Sequence, residues 1–142
     1  MTPRRAAIVA MAMAASCGGA STSGGGGTVF EANPAQTVRS TSGALVVAVY
    51  AEAGHSPARG VNSFRFLVTG PGGAPVDGLR VTVEPWMPDM GHGSSVSPTV
   101  TASGGGAYVV TDVYFPMPGR WDLNSSFTGA ISDAAKPTFQ IP

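Results

Sequence analysis

From residue 44 onward, apolar and polar side chains alternate with a period of two in short runs. A strand points successive side chains to opposite faces, so this period marks strands with one buried face. In "VNSFRFLVTG" (61–70), Phe64, Phe66 and Val68 share one face, opposite Ser63, Arg65 and Leu67. In "LRVTVEPW" (79–86), Val81 and Val83 face inward, and in "RWDLNSSFTG" (120–129) Trp121, Leu123 and Phe127 do the same. "ALVVAVYAEA" (44–53) reads as a buried strand, and "KPTFQI" (136–141) closes the chain. "VSPTVTAS" (96–103) and "AYVVTDVYF" (107–115) flank three glycines at 104–106, which predicts a hairpin. "PGGAPVDG" (71–78) is a turn set by Gly and Pro dihedrals. Residues 29–43 hold one short edge strand. The sum is an all-β chain of about seven strands with turns every 8 to 12 residues, the expectation for a single antiparallel β-sandwich. Trp86 and Trp121, its largest apolar groups, are expected in the interior. No helical period follows residue 17.

The N-terminus reads as an address. Arg4 and Arg5 precede the apolar stretch "AAIVAMAMAA" (6–15). Ten residues are too few for a spanning helix, which needs about 20, but they match the core of a signal peptide. The stretch ends in "AASC" (14–17), which resembles a bacterial lipobox. Residues 1–16 are therefore expected to be a signal peptide and Cys17 the lipidated mature N-terminus. Residues 17–43 follow as that N-terminus and a tether, flexible where Gly and Ser dominate in "GGASTSGGGGT" (18–28). The domain spans 44–142. The expected location is the bacterial envelope, membrane-anchored through lipid and facing the periplasm or exterior.

Composition narrows the function. Among the 142 residues, eight basic side chains balance eight acidic ones, which argues against a nucleic-acid surface. Loss of Arg4 and Arg5 on processing leaves six basic against eight acidic, a net charge of −2. Cys17 is the only cysteine, so neither an internal disulfide nor a cysteine zinc site can form. The glycine runs lack the Lys-Ser/Thr and helix that phosphate cradling requires. "GHGSS" places His92 and Ser94 outside any strand–turn–helix context, so no catalytic residue is assigned and no enzyme is expected.

The sharpest chemistry lies in "EPWMPDMGHGSS" (84–95) and "FPMPGRW" (115–121). Met1, Met11 and Met13 fall in the signal region, so every methionine beyond Cys17 lies in these two segments: Met87, Met90 and Met117. Thioether sulfur is a soft, neutral ligand suited to Cu(I), and imidazole suits either copper state. Met87, Met90, His92 and Met117 thus form a candidate metal set, with Asp89 close enough in sequence to orient the histidine ring. The competing reading is packing. Methionine fills cores adaptably, so Met87 and Met90 could plug one end of the sandwich above Met117, leaving His92 in a solvent-exposed loop. His55, in "AGHSPARG", reads as a plain loop histidine.

"GLRVTVEPWMPDMGHGSSVSP" followed by "GGGAYVVTDVYFPMPGRWDL" resembles the YtkA-like domain, a family related to the FixH-like proteins. The matching positions are Met87, Pro88, Met90, Gly91, His92, Gly93, Tyr108, Met117, Pro118, Gly119 and Trp121. The resemblance implies an immunoglobulin-like β-sandwich outside the cytoplasm and a link to copper handling or copper-oxidase assembly. It implies Met87, Met90, His92 and Met117 as ligands, with copper, as Cu(I), carried or buffered. Partners would be envelope proteins that donate or accept the ion. The alternative is a structural or protein-interaction module that binds no metal.

Overall fold

The computed structural model describes residues 27–142. The expected signal peptide, Cys17 and residues 18–26 of the expected tether lie outside them. The described chain contains ten strands and no helix: β1 (Gln36–Arg39), β2 (Val46–Ala51), β3 (Gly60–Thr69), β4 (Arg80–Met87), β5 (His92–Gly93), β6 (Thr99–Gly104), β7 (Ala107–Phe115), β8 (Gly119–Thr128), β9 (Asp133–Ala135) and β10 (Thr138–Ile141). They form two antiparallel sheets, ordered β1-β2-β3-β7-β6 and β10-β8-β4-β5, with β9 also paired to β8.

The sheets share one core. Val47, Val49, Phe64, Phe66, Val68, Tyr108, Val110 and Phe115 from the first sheet meet Val81, Val83, Trp121, Leu123, Phe127 and Ile141 from the second. Ring pairs span the gap: Phe64 stacks on Phe139 with centroids 5.1 Å apart, and Phe115 lies 5.5 Å from Trp121. Tyr108 fastens the crossing from β3 to β4 by donating its hydroxyl to the Val76 carbonyl and accepting the Leu79 N–H. The same crossing is held by the Gly106 N–H, which donates to Asp77 at 2.7 Å.

The predicted alternations appear as written, and the glycine run does turn β6 into β7. The expected edge strand in 29–43 is β1, at the edge of its sheet. Two further strands, β5 and β9, have two and three residues, too short to show a period. Pairing of β1 with β2, and of Phe30 with Glu52, extends the folded part N-terminal of residue 44. Trp121 is fully buried as expected, but Trp86 is only half-buried. The alternation that turns Val81 and Val83 inward also turns Pro85 and Met87 inward, which leaves Trp86 on the outer face.

Register fixes which segments share an end. Gly60 pairs with Phe115, Trp86 with Asp122, and Ile141 with Gly119. The 52–59 loop, the 88–91 turn, the 116–118 segment and the C-terminus therefore gather at one end of the sandwich. The 40–45, 70–79 and 104–106 segments lie at the other. At this far end the Ser40 and Ser42 hydroxyls hold the Asp133 carboxyl well below the usual carboxylate range.

Gly106 has φ of +78°, and a Cβ there would sit 2.5 Å from the Val68 carbonyl oxygen. Both backbone strain and a backbone clash oppose a side chain. Gly106→Ala is expected to lower unfolding free energy by about 2 kcal/mol or more, checked by urea denaturation. An unchanged midpoint would show that the loop adapts.

Candidate metal centre

The β4–β5 hairpin builds the first half of the site. Met87 ends β4 and His92 opens β5, and the two are directly paired across the strands. Cross-strand partners project on the same face, so His92 takes the inner side that Met87 occupies. The turn closes with the Met90 and Gly91 N–H groups donating to the Met87 carbonyl at 3.3 and 2.9 Å. Gly91 supplies the positive φ, +66°, that this tight reversal requires.

The second half comes from the β7–β8 connection. Trp121 donates its indole N–H to the Met117 carbonyl at 3.0 Å, drawing that segment over the end of the core. Met117 packs half-buried against the core. The Met87 methyl lies where a Gly119 side chain would be, so the two halves touch. His92 meets Trp121 edge-on, with centroids 5.9 Å apart and planes 70° apart. The fold therefore brings Met87, His92 and Met117 to one end, as the sequence alone could not establish.

The four predicted residues differ sharply in exposure. Met87 is buried at 4%, Met117 and His92 are half-buried, and Met90 stands 63% exposed at the turn. The packing reading thus accounts for Met87 and leaves Met90 unexplained. It also placed His92 in an exposed loop, whereas His92 is a half-buried strand residue. Asp89 does not orient the ring. His92 Nδ1 lies 3.1 Å from the Gly93 carbonyl. A carbonyl only accepts, so this contact is a hydrogen bond only when Nδ1 donates, and Nε2 makes no hydrogen bond to protein among the described residues. In the neutral ring with the proton on Nδ1, Nε2 is the nitrogen that can ligate.

Among the described residues, no group of three or more His, Cys, Asp or Glu side chains is placed to hold a metal ion. Any ligand set at this end would have to include methionine sulfur, and neutral, soft donors of that kind suit Cu(I) better than a hard divalent cation. His55 belongs to the 52–59 loop at this end and is exposed. Cys17 lies outside the described residues. The sequence reading missed two supporting roles. Gly119 makes room for the Met87 methyl, and Trp121 is both floor to His92 and donor to Met117. Both stand in the "MPGRW" segment, which was the available signal.

Exposure separates the methionines in stability. Met87→Ala should cost about 2–4 kcal/mol through the cavity it leaves, while Met90→Ala should change stability by less than about 0.5 kcal/mol. Parallel urea melts of the two variants measure the difference; similar costs would mean that Met90 packs as well.

No match was found among curated proteins or among solved structures. The YtkA-like family model, in contrast, matches residues 41–126, a span that runs from before β2 to within β8 and holds both methionine segments. The chain belongs to the YtkA-like family.

Proposed function

We propose that this chain is a lipid-anchored envelope protein that binds copper, as Cu(I), at one end of an immunoglobulin-like sandwich and acts as carrier or buffer, not as an enzyme. The observation that carries the reading is the meeting of Met87 and His92 as cross-strand partners under the Met117 segment, with His92 Nε2 free to ligate. Two five-stranded antiparallel sheets around a single core support the immunoglobulin-like description.

Met87 and His92 would hold the ion from the β4–β5 hairpin, Met117 from the facing segment, and Met90 from the exposed turn. Copper as cargo needs ligands that let go. Thioethers need no proton to leave, so an incoming Met or His site on an envelope partner can replace them one at a time. The buried Met87 and the packed Trp121 keep the hairpin in place during exchange, and the exposed Met90 is where a competing ligand first gains access. Thiols would be oxidised in such a compartment, whereas methionine and histidine serve there without a reductant.

A second reading is supported by the burial of Met87: a structural or interaction module in which the methionine segments pack or form a partner-docking patch and no metal binds. Exposed Met90 fits a docking patch as well as a ligand, so the two readings part at metal binding.

The test is a Cu(I) titration of residues 27–142 against a chromophoric chelator. The expected outcome is one-to-one binding that withdraws copper from the chelator. It should weaken by about tenfold or more, about 1.4 kcal/mol, in His92→Ala. Met90→Leu should weaken binding while leaving the melting midpoint unchanged. Failure of the unaltered domain to compete would assign the end to packing or to a protein partner.

A further inference from the structure

The chain enters the fold at the Met/His end. The Val29 carbonyl accepts the Ala53 N–H at 2.8 Å, and Phe30 bridges Glu52, just past the end of β2. The segment leading back to Cys17 therefore departs from the same end that holds Met87, His92 and Met117. Exposed apolar side chains gather there too. Of the four large hydrophobics exposed among the described residues, Val29 (70%), Val61 (68%) and Met90 (63%) lie at this end. Val61 follows Gly60 at the start of β3, Val29 precedes the Phe30 bridge, and Met90 tops the β4–β5 turn.

We propose that in the anchored protein this end rests on the lipid surface that holds Cys17, with Val29, Val61 and Met90 in the interfacial layer of the bilayer. The proposal rests on the lipoprotein reading above and is independent of copper.

Length decides the orientation. Twelve residues lead from Cys17 to Val29, the first residue bonded to the fold. Fully extended, a chain of that length reaches about 42 Å. The ten-residue strand β3 makes the sandwich about 33 Å long. Bringing the far end to the membrane would require the tether to run the whole length of the domain and use most of its extended reach, at a large loss of chain entropy. The Met/His end needs no such extension. The tether holds it near the bilayer, and the three apolar side chains gain by leaving water.

The test is hydrogen–deuterium exchange on the full chain matured in a bacterial host and reconstituted in phosphatidylcholine vesicles, beside soluble residues 27–142. The mass of the N-terminal peptide is read first. A diacylglycerol-modified Cys17 establishes the anchor, and its absence overturns the anchor reading and the orientation with it. With the anchor present, the expected result is several-fold slower exchange in 52–60 and 88–91, and no change in 40–45 or 71–78. Equal exchange at both ends, or slowing at the far end, would overturn the orientation. Slowing that appears only in native membranes would assign this end to a membrane protein and overturn the lipid contact. Val61→Ser combined with Met90→Ser should abolish the slowing while the lipid stays attached; persistence would show that other groups make the contact.

Discussion

The candidate site depends on how one indole is held. Trp121 is wholly buried between the sheets, and its ring can be buried only if the N–H finds an acceptor. The Met117 carbonyl provides it. That hydrogen bond ties the β7–β8 connection to the core, and the ring's packing against Phe115 joins the two sheets at the same place. His92 meets the same ring edge-to-face, with centroids 5.9 Å apart. One side chain thus sets the position of two candidate ligands, Met117 through its backbone and His92 through contact. It does so from β8, whose pairing with β4 carries Met87 to the same level. The arrangement costs no buried polar group, since among the described residues every buried side-chain nitrogen and oxygen has a partner.

Much of this fold was legible because burial on one face writes a period of two into the sequence. Phe64, Phe66 and Val68 announced β3, and Trp121, Leu123 and Phe127 announced β8. What failed to show followed from the same physics. A two-residue strand such as β5 has no period, and its pairing with Met87 follows from the tight turn at Gly91 rather than from any pattern of its own. Size alone points Trp86 to the interior, but parity along β4 puts it on the outer face. The site was half legible. Clustering of every methionine beyond Cys17 in two segments is a property of sequence, but their meeting is a property of topology. It depends on β8 lying next to β4 in one sheet while β7, which leads into it, lies in the other. The part of Gly119 could not be read without the Met87 methyl beside it.

The gradient of exposure across the site is the feature that packing and ligation explain differently. A core plug would bury all three methionines, because an exposed thioether gains little from transfer out of water. A rigid storage site would bury them as well, to exclude competing ligands. The structure instead runs from buried Met87 through half-buried Met117 and His92 to exposed Met90 across two neighbouring segments. Under the copper reading, that order is functional. The buried end fixes geometry through the core, and the exposed end lowers the barrier to ligand exchange by letting a partner's donor enter before the last sulfur leaves. Affinity and transfer are then set by different residues: Met87 and His92 by how well the core holds them, Met90 by what it meets outside.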